Sequence, residues 1–93
     1  MVEGQELVRT PNPVKEAASI EFGVDRLTPV TLSIYTIAGR YLRSLVRGST
    51  STGVHQVVWD GRDDQGQEVA TGIYVIQLRT GSRQINQKVV LSR

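Results

Sequence analysis

The feature that most constrains this chain is a two-residue alternation of apolar and polar side chains, repeated along its length and broken by glycine. Ala18, Ile20 and Phe22 alternate with Ser19 and Glu21, and Val30, Leu32 and Ile34 alternate with Thr31, Ser33 and Tyr35. His55, Val57 and Trp59 share one parity, as do Tyr74, Ile76 and Leu78, and then Ile85, Val89 and Leu91. A period of two sends successive side chains to opposite faces of an extended strand; a helix needs apolar residues three and four apart. No stretch sustains that helical spacing. The alternation predicts strands at about 17–23, 29–36, 41–47, 54–59, 73–79 and 83–92, with a short edge strand at Glu68-Val69-Ala70. In the stretch 41–47 the apolar residues fall on both parities. A bulge, or burial on both faces, is expected there.

Turn chemistry separates these runs. Residues 1–10 read as a lead-in or an added segment, after which Thr10-Pro11-Asn12-Pro13 holds the backbone extended or turning. Ala38-Gly39-Arg40 and Thr80-Gly81-Ser82 read as tight turns, Gly48 to Gly53 as a polar loop, and Asp60 to Gln67 as a turn-rich connection. Six or seven short strands at such spacing make a sandwich or a barrel. The 93 residues suffice for one domain with one modest core. One-sided alternation gives each sheet a dry and a wet face, and two dry faces packed together form that core. Its expected members are Ile20, Phe22, Val30, Leu32, Ile34, Leu42, Leu45, Val57, Trp59, Tyr74, Ile76, Leu78, Val89 and Leu91.

Composition removes several function classes. With 39% hydrophobic and 22% charged residues the chain is globular. No apolar run approaches the ~20 residues of a membrane helix. There is no cysteine, so no disulfide and no thiolate nucleophile or metal ligand. A formal charge of +2, without interleaved aromatic and basic residues, does not point to nucleic acid. No catalytic residues and no cofactor are expected. His55 is the single histidine, no Gly-x-Ser-x-Gly elbow is present, and a triad or zinc site lacks its partners. The distribution of charge says more than its sum. Arg79, Arg83, Lys88 and Arg93 follow one another with no acid among them, and Arg40, Arg43 and Arg47 form a second acid-free stretch. Between the two lie Asp60, Asp63, Asp64 and Glu68. These acids could offer oxygen ligands to calcium, but Arg62 and Gln65 break the helix-loop-helix calcium pattern. A turn stabilised by aspartate and glycine is the favoured reading, with no metal.

Four segments taken together resemble a known family. Asn12-Pro13 precedes the first strand; Val30-Thr31-Leu32-Ser33-Ile34-Tyr35-Thr36-Ile37-Ala38-Gly39-Arg40 follows; then come Val57-Val58-Trp59-Asp60-Gly61-Arg62-Asp63-Asp64-Gln65-Gly66 and Val69-Ala70-Thr71-Gly72-Ile73-Tyr74. In order and spacing this is similar to the immunoglobulin-like domain of the flagellar hook-capping protein. It also resembles a relative of that domain, the C-terminal sorting domain of proteins exported by the type IX secretion system. The resemblance spans residues 11–93. It sharpens the fold to an all-β, immunoglobulin-like antiparallel β-sandwich of about seven strands. Pro11-Asn12-Pro13, Gly72-Ile73-Tyr74 and the closing Lys88-Val89-Val90-Leu91-Ser92-Arg93 are similar to the sorting domains; Asp60 to Gly66 is nearer the hook-cap pattern.

The sorting resemblance implies a non-catalytic domain read by the export machinery of the outer membrane and attached N-terminally to a parent cargo protein. Passage through the periplasm to the cell surface or medium is implied with it. Met1-Val2-Glu3-Gly4 lacks the apolar core of a signal peptide, so the chain is either cytoplasmic or a piece of a larger exported protein, and the resemblance favours the piece. The residues expected to meet the partner are Gly72, Tyr74, Lys88, Val90, Ser92 and Arg93, on a terminal strand at or near a sheet edge and on its neighbour. The isolated domain is expected to be monomeric. Two other readings stay open: a structural interaction module of the hook-cap type, and a carbohydrate-binding accessory module of a secreted hydrolase that uses Tyr35 and Tyr41 as stacking rings.

Overall fold

The computed structural model describes residues 17–81 and 83–92 together with the backbone of 8–9 and 14–15. Eight strands follow in order: β1 (Val8–Arg9), β2 (Val14–Lys15), β3 (Ala18–Val24), β4 (Thr28–Thr36), β5 (Tyr41–Thr50), β6 (Gly53–Trp59), β7 (Gly72–Thr80) and β8 (Arg83–Ser92). Six of these are seven to ten residues long, and β1 and β2 have two each. They form a three-stranded sheet, β1-β3-β6, and a five-stranded sheet, β2-β8-β7-β4-β5. All pairings are antiparallel except the short β2–β8 ladder.

The alternation read from the sequence becomes the core. Ala18, Ile20, Phe22 and Val24 of β3, with Trp59 of β6, face Val30, Leu32, Ile34, Leu42, Tyr74, Ile76, Leu78, Val89 and Leu91 of the other sheet. Each large side chain taken out of water contributes roughly 1.5–3 kcal/mol, opposed by the entropy of ordering the chain. Leu45 and Val57, expected in the core, are partly buried at its margin. Ala18 and Val24 are core members that the expected list lacked. Both continue the parity of Ile20 and Phe22, so the two faces closing over the ends of β3 bury them as well.

Strand β5 explains its mixed parity. The β4–β5 ladder pairs Leu32 with Val46, Ser33 with Ser44, Ile34 with Arg43 and Tyr35 with Tyr41, with two register shifts. Leu45 and Leu42 are the extra residues of two bulges. A bulge rotates the strand locally, so apolar residues of both parities reach the inner side.

Two connections differ from expectation. The polar loop at Gly48 to Gly53 contracts: Gly48, Ser49 and Thr50 pair with Val30, Pro29 and Thr28, and β6 already begins at Gly53. The long β4 offers ladder partners that a free loop would leave unbonded. Glu68-Val69-Ala70 forms no edge strand; only an isolated bridge joins Glu68 to Arg62. The turn at Ala38-Gly39-Arg40 forms as read. Gly39 sits at φ 94°, where an L side chain would be strained, and bonds between Thr36 and Arg40 and between Gly39 and Thr36 close it.

Candidate partner-recognition face

Strand β8 owes its position to its own alternation. Val89 and Leu91 are buried, with Ile85 partly buried against the core. The opposite parity, Gln84, Asn86, Lys88, Val90 and Ser92, is therefore carried on the outer surface of the five-stranded sheet. The ladder to β7 sets Lys88 beside Val75, Val90 beside Ile73, and Asn86 beside Gln77. On its other side, among the described residues, β8 is paired with β2 at Leu91 and Ser92. The expected placement beside a sheet edge is what the strand order produces.

The surface continues across β4 and β5. Tyr35 lies between Val75 and Tyr41, and Thr31 between Arg79 and Arg47. The Tyr35 and Tyr41 rings meet edge to face, with centroids 5.7 Å apart and planes at 71°. Tyr41 and Ser33 both bond the Ser44 hydroxyl, at 3.0 and 2.9 Å, so the tyrosine pair is tied to a bulged strand. Two rings at this angle do not form the flat platform on which sugar rings stack. Beside them lies an open depression of about 320 Å³, lined among others by Tyr35, Ile37, Gln77 and Asn86.

The charge of this surface is of one sign. Strands β4, β5, β7 and β8 contain Arg43, Arg47, Arg79, Arg83 and Lys88 and no aspartate or glutamate. Arg79 donates to the Gln84 side chain at 3.1 Å, and Arg43 reaches Asp60 at 3.2 Å. Arg47, Arg79 and Lys88 remain exposed on the outer parity. An anionic or strongly polar partner would meet no like charge on these strands.

The expected recognition residues do not all share this face. Lys88, Val90 and Ser92 do. Arg93 lies outside the described residues. Gly72 opens β7 opposite Leu91. A Cβ built on it would make ordinary contacts with the Tyr74 ring at 3.9 Å and the Ala70 carbonyl at 4.0 Å, so no backbone constraint demands glycine there. Tyr74 is the correction. It is only 8% exposed, packs edge to face on Trp59, and donates its hydroxyl to the Ala70 carbonyl. A ring with the parity of Ile76 and Leu78 must point inward, so a partner cannot touch it from the outer surface. An aromatic at the start of a strand bonding back to the preceding chain is the tyrosine-corner device of immunoglobulin-like sandwiches. What sequence reasoning missed is the apolar pair Ile73 and Val75, which borders Val90 and Lys88 on the outer face. The signal was available in the parity opposite to Tyr74 and Ile76.

The acidic connection is built as a turn. Asp63 Oδ1 accepts the Gln65 and Gln67 amides at 2.9 and 3.0 Å, and Gly66, at φ 82°, donates to the Asp63 carbonyl at 3.0 Å. Asp60 Oδ1 accepts the Arg62 amide at 3.1 Å, and Arg62 reaches Glu68 at 3.4 Å. The Gln67 hydrogen bond holds the Asp63 carboxyl below its ordinary pKa. The Gln65 bond and the charges of Arg40 and Arg43 act in the same direction, while desolvation opposes them. These carboxylates are thus engaged by their own loop and by Arg43 and Arg62. Among the described residues no three histidine or acidic side chains gather as a metal site. His55 stacks on Phe22 at 5.4 Å and bonds the Ser51 carbonyl at 2.8 Å, a place in the packing of the three-stranded sheet.

Comparison with known proteins agrees with this architecture. The family model of the FlgD Ig-like domain matches residues 6–84. The basal-body rod modification protein FlgD of Salmonella typhimurium is 38% identical over 60 residues, covering 61% of this chain and 26% of FlgD. The chain thus spans about a quarter of that relative. In fold it is similar to PorU of Porphyromonas gingivalis, with a TM-score of 0.73 and 22% identity over 90% of this chain and 9% of PorU. It is also similar to PorZ of the same organism, with a TM-score of 0.59 and 19% identity over 92% of this chain and 11% of PorZ. With the two-sheet core, the inward tyrosine and the aspartate-glycine connection in place, the chain belongs to the FlgD Ig-like domain family.

Proposed function

We propose that this chain is a non-catalytic sorting domain that directs a larger protein to export by the type IX secretion system and to attachment at the cell surface. The carrying observation is the outer surface of β8. Lys88 and Val90 lie there beside Ile73 and Val75, on strands free of acidic residues and next to the short β2. Such a surface combines an apolar anchor with a charge of one sign, the combination that fixes both contact and orientation of a protein partner. The fold likeness to PorZ, described as an essential surface component of the type IX secretion system, supports this reading and an extracellular or surface location.

The test fuses residues 1–93 to a fluorescent carrier with a signal peptide, in a bacterium that has type IX secretion. Surface fluorescence should appear with the wild-type domain and fall at least tenfold with Lys88→Glu combined with Val90→Lys. Equal surface display by a folded double variant would refute the reading. A second reading has its own support. The family match and the identity to FlgD favour a structural interaction module of the hook-cap type. Under that reading the fused carrier stays inside the cell with either domain.

A further inference from the structure

Strand β6 closes the three-stranded sheet on the side away from β1. Edge strands are normally protected by lysine, glutamate, proline or brevity, because their outward backbone groups can pair with another chain. This one has seven residues, Gly53-Val54-His55-Gln56-Val57-Val58-Trp59, with no lysine, arginine, aspartate or glutamate and no proline. Its outer parity carries two apolar residues, Val54 and Val58, on either side of Gln56. Val54 and Val58 are 67% and 62% exposed, while His55 and Trp59 on the other parity pack against Phe22 and Tyr74.

The strand is also close to self-complementary. Paired antiparallel with itself about Gln56, it sets Val54 of one copy opposite Val58 of the other and Gln56 opposite Gln56. On the inner parity His55 meets Val57 and Gly53 meets Trp59, a large ring against the smallest residue. No like charges are brought together, and two valine pairs flank the central glutamine pair across the joint. Such a contact is isologous and closes at two copies. We infer that this chain self-associates through β6, forming a continuous six-stranded sheet across a twofold axis at Gln56. A seven-residue ladder and four valines fall below the standard interface of about 1,600 Å², so the association is weak and set by concentration. Sequence alone pointed to a monomer; the proposed pairing departs from that expectation and stands independently of the sorting proposal.

Sedimentation of the 93-residue chain from about 10 µM to about 1 mM tests the inference over the range where a weak Kd is visible. The weight-average mass should climb from one copy towards two. Val54→Lys with Val58→Lys places lysine opposite lysine twice and should hold the chain as a monomer throughout. Val54→Lys with Val58→Glu places lysine opposite glutamate twice in the stated register and should restore the wild-type mass profile. Circular dichroism confirms folding of each variant, since both positions face solvent. A wild-type chain that stays monomeric at the highest concentration overturns the inference. So does a dimer that survives the double lysine, or a lysine–glutamate variant that remains monomeric.

Discussion

The rings of Trp59 and Tyr74 meet edge to face across the sandwich, with centroids 5.4 Å apart and planes at 72°. The two residues come from different sheets, and each also fastens one end of the connection between them. Trp59 Nε1 donates to the Arg62 carbonyl at 2.9 Å, and the Tyr74 hydroxyl donates to the Ala70 carbonyl. The middle of the connection is tied to β5, where the Asp64 amide donates at 3.0 Å to the carbonyl of the bulged Leu42. One aromatic contact therefore couples the packing of the sheets to the shape of the longest link between consecutive strands.

That coupling predicts a graded response in denaturant. Trp59→Ala removes the largest buried ring and should cost about 3–5 kcal/mol. Tyr74→Phe keeps the ring contact and deletes one hydrogen bond, leaving the Ala70 carbonyl without that donor; a loss of about 1–2 kcal/mol is expected. Urea unfolding by tryptophan fluorescence measures the second, and circular dichroism the first. A Tyr74→Phe variant as stable as the wild type would show that the hydroxyl does not hold the connection.

Asp63 predicts a pH dependence of definite sign. Its folded carboxyl titrates below the unfolded one, chiefly because it accepts the Gln67 amide. The stabilisation is present above the unfolded value near 3.9 and is lost as pH falls through the lowered folded value. The melting temperature should therefore drop on acidification below about pH 4. Asp63→Asn keeps an acceptor but not the charge, so its melting temperature should fall less between neutral and acid pH. Identical pH profiles for the two proteins would remove Asp63 from the account.

Gly72 separates a folding role from a recognition role. Its added Cβ meets atoms only at 3.9 and 4.0 Å, so Gly72→Ala should change unfolding free energy by no more than about 0.5 kcal/mol. A melting curve checks this directly. A large loss would mean that the strand start needs glycine for a reason other than space. Unchanged stability with lost surface display of the fused carrier would assign Gly72 to the partner.

Lys88 predicts the converse of Trp59. It is exposed on the outer parity of β8. Lys88→Glu should leave unfolding within about 0.5 kcal/mol of the wild type, as for most surface substitutions. It should also introduce the first acid among the four long strands of that sheet and reduce surface display. A stable variant with full display would exclude Lys88 from the recognition surface.

By itself the sequence determined the six long strands, the inward parity of all of them but β5, and most of the core that follows. Those properties are local: a period of two fixes which side chains share a face, and glycine and aspartate mark where the chain turns. Strand β8 was legible to the residue at both ends, and the mixed parity of 41–47 pointed to a bulge or to burial on both faces, which the structure resolves as bulges at Leu42 and Leu45. Only the tertiary structure decided which strands are neighbours, because pairing is settled between residues far apart in the chain. That order buries Tyr74 against Trp59 and leaves Val54 and Val58 on an open edge. It also gathers Lys88, Val90, Ile73 and Val75 on one surface. The features read as one motif in Gly72-Ile73-Tyr74 thus divide between a wet face and a dry one.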